Sequence, residues 1–139
     1  MNAPSSWQLH PRLAADTHLI AQWPLSDLRL MDDARFPWLM LVPRIAEAAE
    51  VIDLAEADQL QLALETRRAA RLMQAVFAPD KLNIAAIGNV VRQLHVHVVA
   101  RYATDAAWPA PVWGHGDAQR YADAARSERL GVLALANRD

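Results

Sequence analysis

The sequence contains no cysteine. That absence excludes a disulfide framework and zinc sites with thiolate ligands, and it is compatible with a reducing compartment. The chain also has no apolar run near the roughly 18 residues that a bilayer-spanning helix requires, so we expect no membrane partner. Residues 1–16 lack a basic start followed by an apolar stretch. They therefore do not resemble a secretory signal, and we expect the protein to be cytoplasmic.

A surplus of positive charge is missing as well. The sequence has 14 Lys and Arg residues against 16 Asp and Glu residues, which gives a net charge of −2. No general basic surface is therefore available to hold a nucleic acid backbone, and we expect no nucleic acid polymer as a partner. The apolar share of 53% is typical of a globular protein. With no internal repeat to divide it, the chain is predicted to form one domain over residues 1–139.

Short apolar stretches bounded by turn residues predict five β-strands. They cover residues 17–23, 28–31, 38–42, 82–87 and 93–102. The third, WLMLV, is uninterrupted and suits a central strand that is buried on both faces. Gly88 and Asn89 form a turn signal between the last two stretches, which suggests a hairpin. We therefore expect an α+β fold whose antiparallel sheet of about five strands forms a core over residues 17–115.

Two helices are expected to accompany this sheet. Apolar residues recur at helical spacing between the third and fourth predicted strands, so one long helix should place a stripe of them against the core. We expect this helix to run from Asp53 to Ala78, with Asp53 as its N-cap and Glu56 completing a capping box. Residues 118–135 are predicted to form a C-terminal helix that is interrupted near Gly131.

The clearest chemical signal lies in the segment QLHVHVV, which begins at Gln93. Successive side chains of a strand point to opposite faces, so Gln93, His95 and His97 are expected to share one face. The apolar side chains between them are expected to pack on the long helix. A buried imidazole needs hydrogen-bond partners, so two neighbouring histidines are an unusual choice for stability alone.

Three interpretations of this His-x-His pair are open on its residues alone. The pair could lie on an exposed, half-polar sheet face that carries incidental histidines. It could bind a metal, although His10, His18 and His115 are remote in sequence and no acid follows the pair closely, so no third ligand is supplied locally. Finally, one imidazole could attack phosphorus while its neighbour stabilises the charged oxygens or the leaving group.

The sequence around the pair favours the third interpretation, because it resembles the histidine triad (HIT) family. That family has the pattern His-φ-His-φ-His-φ-φ, in which φ is an apolar residue, on a strand that follows a glycine and an amide residue. Here Gly88 and Asn89 precede the segment, and Gln93 stands in the place of the first histidine. An acidic turn, a strand that ends Val-Pro-Arg and a long helix come earlier in the family's order. The resemblance covers about residues 17–115.

The resemblance implies a role for each residue of the predicted site. His95, at the middle position, would be the nucleophile that forms a nucleotidyl-imidazole intermediate. His97 would donate to a phosphate oxygen or to the leaving group. Asn89 would hydrogen-bond phosphate through its amide, and Asp32 or Asp33 would accept from ribose hydroxyls. The alternative for Asn89 and the two aspartates is that they only stabilise turns.

Gln93 completes the predicted catalytic set with His95 and His97. One ring nitrogen of the nucleophile must face phosphorus, and the other must donate to a group that fixes the tautomer. In the family that group is understood to be the backbone carbonyl of the first triad position, which survives a change of side chain. We therefore expect Gln93 not to disable the enzyme. Trp108 and Trp113 could border the leaving group, as could Arg101, but tryptophans more often fill a core or a dimer interface.

By this resemblance the protein is expected to be a hydrolase or transferase that needs no metal or other cofactor. It would cleave a P–N or P–O bond in a nucleoside phosphoramidate, an adenylylated amine or a dinucleoside polyphosphate. The alternative is a nucleotide-binding or interaction protein on the same fold with weak or no catalysis, which Gln93 in the triad would favour. The resemblance also implies a homodimer.

Overall fold

The computed structural model describes residues 6–138, so residues 1–5 and 139 of the predicted domain lie outside the described residues. The elements are α1 (Pro11–Asp16), β1 (Thr17–Gln22), β2 (Ser26–Met31), β3 (Trp38–Pro43), a 3₁₀ turn (Val51–Asp53), α2 (Glu56–Phe77), β4 (Lys81–Ala86), β5 (Val96–Arg101) and α3 (Asp123–Asn137). The five strands form one antiparallel sheet in the order β1-β2-β3-β5-β4. The expected α+β fold, with five strands and a long helix, is confirmed.

The sheet has one face against α2 and α3 and a second face that carries the histidines. Alternate residues of β3 and β5 enter the main core together with the buried stripe of α2. These are Leu39, Leu41, Val96, Val98 and Ala100 from the strands and Leu62, Ala69, Leu72 and Met73 from α2. The residues between them, including Met40 and His97, therefore point to the opposite face. Both strands are buried along their whole length, as expected of central strands.

The long helix begins later than predicted, because Asp53 caps a different turn. Its carboxylate accepts hydrogen bonds from the backbone N–H groups of Ala49 and Glu50, at 3.0 and 2.8 Å. Those bonds close the short 3₁₀ turn, and the N-cap of α2 is Ala55, which has no side chain to donate or accept. The predicted capping box of Asp53 and Glu56 is wrong for this reason. At the other end, the residue before Pro79 adopts a left-handed conformation and terminates the helix as expected.

The C-terminal helix is also shifted, and it is continuous. It begins at Asp123 rather than at residue 118, and it passes through Gly131 without interruption. The preceding backbone is held in a non-helical path, because Gln119 and Tyr121 donate their N–H groups to the side chains of Asp33 and Asp32. Sequence periodicity contains no information about such a contact. None of the helices described over residues 6–138 is both long and apolar enough to cross a membrane.

The predicted hairpin exists, but its loop is longer than a two-residue turn. β4 and β5 are antiparallel neighbours, and the strand begins at Val96 rather than at Gln93. Leu94 donates its N–H to the carbonyl of Ala48 at 2.9 Å instead of to a neighbouring strand. His95 is therefore the last residue of the loop, and His97 is the second residue of β5.

Candidate active site

The imidazole of His95 is oriented by its own chain. Its Nδ1 lies 2.6 Å from the main-chain carbonyl oxygen of Gln93. A carbonyl can only accept, so Nδ1 must carry the proton, and the lone pair of the neutral ring is on Nε2. The residue is 6% exposed, which leaves it little freedom to adopt another rotamer. His95 therefore has the tautomer that a nucleophile attacking through Nε2 requires.

The imidazole of His97 has the opposite tautomer, which a contact with another strand decides. The indole N–H of Trp38 donates to Nδ1 of His97 at 2.9 Å in a fully buried contact. Because Nδ1 accepts this bond, the proton of the neutral ring lies on Nε2. β3 and β5 pair so that Trp38 is opposite Val99 and His97 is opposite Met40, which brings the two rings together. His97 can thus donate from Nε2 to a nearby oxygen.

Both histidines are held in the neutral form. Burial lowers the pKa of His95 below its ordinary value, and the hydrogen bond to the Gln93 carbonyl partly offsets that effect. Burial, and to a lesser degree the neighbouring His95, lowers the pKa of His97 to about 3. Removing an imidazolium from water is unfavourable, and two such charges side by side would also repel each other. At neutral pH the pair therefore offers one free lone pair and one N–H donor.

The two imidazoles belong to an aromatic cluster. The ring centroids of His95 and His97 are 5.0 Å apart. The ring of Trp113 packs edge-on against His97 at 5.3 Å and against Trp38 at 6.0 Å. Rigid aromatic neighbours of this kind restrict the rotamers of the imidazoles. From the sequence, Trp113 is expected only as a possible border of the site, and Trp38 only as a residue of a central strand.

A pocket of about 370 Å³ opens beside the two histidines. That volume lies within the usual range for a small-molecule site. Its polar lining includes His95, His97, Asn89, Arg12 and Asp16. Its apolar lining is Leu13, Met31, Trp38, Met40, Ile87, Val90, Val91 and Trp113. The predicted phosphate ligand Asn89 is exposed and lies at this pocket together with both histidines.

The side chain of Gln93 bonds to the start of the described chain and does not line this pocket. Its amide oxygen accepts from the N–H of His10 at 2.8 Å, and its amide nitrogen donates to the carbonyl of Gln8 at 2.9 Å. Because Gln93 precedes the strand, the alternation of a strand does not apply to it. What the structure brings to the candidate site is its backbone carbonyl, through His95.

Neither Asp32 nor Asp33 lines this pocket, although Asp32 donates its N–H to the carbonyl of the lining residue Asp16 at 2.8 Å. Asp32 accepts from the N–H of Tyr121 at 2.9 Å and from Arg120 at 3.0 Å. Burial acts to raise the pKa of Asp32, but these hydrogen bonds and a contact with His18 outweigh it, so the net effect is a lower pKa. Asp33 forms two hydrogen bonds with the guanidinium of Arg35, at 3.0 and 2.8 Å. A contact of either carboxylate with ribose stays a prediction.

Arg101 and Trp108 are not at the pocket either. Arg101 is 1% exposed and is held by Asp105, Asn83 and the carbonyl of Ala110. Its guanidinium holds the pKa of Asp105 at about 2. Over residues 6–138, no three His, Cys, Asp or Glu side chains are arranged to hold a metal ion.

Comparison with known proteins identifies the family of the chain. The family model described as "HIT domain" matches residues 12–104. A histidine triad protein from Bradyrhizobium japonicum is 46% identical, with a TM-score of 0.89 over 91% of this chain and 95% of that chain. Histidine triad proteins from Sinorhizobium meliloti and Marinobacter aquaeolei are 40% and 39% identical, with TM-scores of 0.90 and 0.92. The alignments cover 94% and 95% of this chain and 97% and 96% of those chains.

No curated protein matches the chain. The family model nevertheless spans more than half of it, and the three solved structures agree over almost their whole length. Together with the oriented His95 and His97, these matches lead to one conclusion: the chain belongs to the histidine triad (HIT) family.

Proposed function

We propose that this protein is a nucleotide hydrolase or transferase that cleaves a P–N or P–O bond through a nucleotidyl intermediate on His95. The observation that carries the proposal is the 2.6 Å contact between Nδ1 of His95 and the Gln93 carbonyl. That contact leaves Nε2 as a free nucleophile beside a pocket of suitable size. The substrates with the right chemistry are nucleoside phosphoramidates, adenylylated amines and dinucleoside polyphosphates.

In the first step, the lone pair on Nε2 of His95 attacks the phosphorus atom. The bond from phosphorus to the leaving nitrogen or oxygen breaks, and the leaving group departs with its bonding electrons and takes a proton from solvent. The imidazole becomes positively charged as the new P–N bond forms. Its Nδ1–H continues to donate to the carbonyl of Gln93, which stabilises that charge.

In the second step, water attacks the same phosphorus atom and releases a proton to solvent as the P–N bond to His95 breaks. The imidazole leaves as the neutral ring with which the cycle began, and the nucleoside monophosphate is released. If another nucleophile replaces water, the same step transfers the nucleotidyl group. Division of one displacement into two is the advantage of a covalent nucleophile.

We assign His97 to the non-bridging phosphate oxygens, which gain charge in both steps. With a pKa of about 3, His97 is not an imidazolium at neutral pH and therefore has no acidic proton to give to a leaving group. It is a good fixed hydrogen-bond donor, and Trp38 holds its N–H on Nε2. Asn89 would add amide donors to the same phosphate. The apolar side of the pocket would receive the nucleoside.

The alternative, a nucleotide-binding protein without catalysis, depended on the replacement of the first triad histidine by Gln93. The group that orients His95 is a backbone carbonyl, and every residue type supplies one. The replacement therefore does not favour that alternative. We further propose a cytoplasmic homodimer, with a nucleotide and no nucleic acid polymer as its ligand.

The proposal is tested with a hydrolysis panel without added metal. The panel contains adenosine 5′-monophosphoramidate, an adenylylated amine and diadenosine polyphosphates, and release of AMP is measured. We expect His95→Ala to lose at least about a thousandfold in kcat/KM, as removal of a covalent nucleophile does. The matched control is His115→Ala, because His115 is exposed and does not line the pocket. Near-normal turnover by His95→Ala would overturn the assignment.

A further inference from the structure

Gln93 uses its main chain and its side chain for two separate contacts. Its carbonyl accepts from His95, while its side-chain amide bonds to backbone groups of residues 8 and 10, more than 80 positions earlier in the chain. The amide oxygen accepts from one residue and the amide nitrogen donates to the other, so the side chain pairs with that backbone much as a strand would. One residue thus touches both the predicted nucleophile and the start of the chain.

The chain that Gln93 holds is the N-terminal arm, which we define as residues 6–16. Trp7 and Leu9 of the arm are partly buried against the second face of the sheet, where they pack on the cluster of Leu13, Met40, Val42 and Val91. His10, whose N–H donates to the Gln93 side chain, is also the N-cap of α1. Its imidazole accepts from the N–H of Arg12 at 3.0 Å and its carbonyl accepts from Ala14 at 3.0 Å.

The arm forms one wall of the pocket beside the two histidines. Arg12, Leu13 and Asp16 of α1 line that pocket. Because α1 has only six residues, it is too short to be stable by itself, and its position depends on what holds its ends. The two bonds from Gln93 hold the N-terminal end. The position of the pocket wall therefore depends on the Gln93 side chain.

We propose that Gln93 is a positioning residue that holds the N-terminal arm over the pocket, so that the arm closes on the base of the bound nucleotide. The inference rests on the proposed function for its substrate class. The apolar lining supplied by Leu13 beside Met40 and Val91 suits a flat nucleobase and offers little to a sugar phosphate. In this protein the glutamine that replaces a triad histidine thus serves affinity for the nucleoside and not the chemical step.

A histidine at this position would not make the same pair of bonds. A glutamine amide presents its C=O acceptor and one N–H donor side by side in nearly parallel directions. It can therefore pair with an N–H and a C=O of nearby backbone residues. The two nitrogens of a neutral imidazole point in diverging directions. Glutamine at position 93 can therefore form both bonds to the backbone of the arm, whereas histidine cannot.

The first test is the variant Gln93→Leu, which removes both side-chain bonds and retains the backbone carbonyl. We expect amide hydrogen exchange of residues 6–10 to accelerate on the order of tenfold, since each lost hydrogen bond weakens the docked state. Gln74→Leu is the matched control, because Gln74 is exposed on α2 and does not line the pocket. Exchange in Gln93→Leu equal to that of the control would overturn the proposal.

The second measurement distinguishes an effect on binding of the base from an effect on binding of the sugar phosphate. By calorimetry, we expect Gln93→Leu to weaken AMP binding on the order of tenfold and to leave ribose 5-phosphate binding within about twofold. With adenosine 5′-monophosphoramidate, KM should rise by a similar factor while kcat stays within about threefold, as for lost uniform binding. A fall in kcat with unchanged KM would mean that the side chain acts in the chemical step, and the proposal would be wrong.

A variant on the arm keeps the test decisive if Gln93→Leu fails to fold. Leu9→Ala loosens the arm from its other side and should reproduce the faster exchange, the weaker AMP binding and the unchanged kcat. Normal AMP binding by Leu9→Ala together with faster exchange would contradict the proposal. Failure of the proposed function is distinguishable, since it would appear as an inactive wild-type protein, whereas exchange and AMP binding need no turnover.

Discussion

The indole N–H of Trp38 donates to Nδ1 of His97 across 2.9 Å, and this contact decides which nitrogen of His97 carries its proton. The two residues are 59 positions apart in the chain and lie on neighbouring strands. In the proposed reaction, His97 stabilises phosphate oxygens from Nε2. Trp38 is therefore a positioning residue that acts through His97.

Replacement of Trp38 by Phe tests that role. Phe retains an aromatic ring but has no N–H, so Nδ1 of His97 loses its donor and the ring is free to adopt the other tautomer. We expect kcat to fall by about tenfold to a hundredfold and stability to fall by roughly 1–3 kcal/mol, because a buried polar group is left unpaired. Steady-state kinetics and urea unfolding measure the two effects. Trp108→Phe is the control, and a wild-type kcat in Trp38→Phe would exclude the role.

A covalent nucleotidyl adduct on His95 should be trapped during turnover. A phosphorus–nitrogen bond to imidazole is labile in acid and stable in base, so an alkaline quench should preserve the adduct and an acid quench should destroy it. Mass spectrometry of a peptide that contains His95 measures it directly. His95→Gly should bind AMP without forming an adduct. Active enzyme that shows no adduct under rapid alkaline quench would argue for direct attack by water.

The dependence of kcat/KM on pH should reflect the protonation of His95 alone. Attack requires the neutral ring, and burial lowers the pKa of His95, so activity should be constant from pH 8 downwards and fall only below the ordinary histidine value. His97, with a pKa of about 3, should add no second transition between pH 5 and 8. The profile is measured with adenosine 5′-monophosphoramidate. An acid limb centred above the ordinary histidine pKa would contradict the assigned environment of His95.

A homodimer is expected to form through the exposed edge of the sheet. β4 is an edge strand, and Ile84 on it is 48% exposed, while Leu60 and Leu64 of α2 are 63% and 60% exposed. Unpaired strand edges and exposed apolar side chains favour association.

Sedimentation tests this expectation by measuring the mass of the protein in solution. The wild-type protein should have about twice the monomer mass of 15.4 kDa at micromolar concentration. Ile84→Lys should shift it towards the monomer, because a charge on an edge strand opposes pairing. Leu135→Lys is the control, since Leu135 is also an exposed apolar residue, at 66%, but lies on α3. A wild-type protein that sediments only as the monomer would rule out the dimer.

Local patterns in the sequence determined the elements of the fold and the position of the site. The alternation in QLHVHVV predicts that Val96 and Val98 face the helix and that His95 and His97 lie together, and both predictions hold in the structure. The expectation that a backbone carbonyl at residue 93 orients the nucleophile agrees with the geometry. These features depend on neighbours within a few positions, so the order of residues is sufficient to predict them.

Only the tertiary structure decided the contacts between distant segments. The donor to His97 is Trp38 on another strand, and the Gln93 side chain bonds to the N-terminal arm. Asp32 and Asp33 hold the backbone before α3, which also explains the late start of that helix. Such hydrogen bonds join residues that chain folding brings together, and they leave no periodic signal in the sequence. Thus the sequence by itself determined where the candidate nucleophile His95 lies, and the tertiary structure decided which groups orient the side chains near it and enclose the pocket.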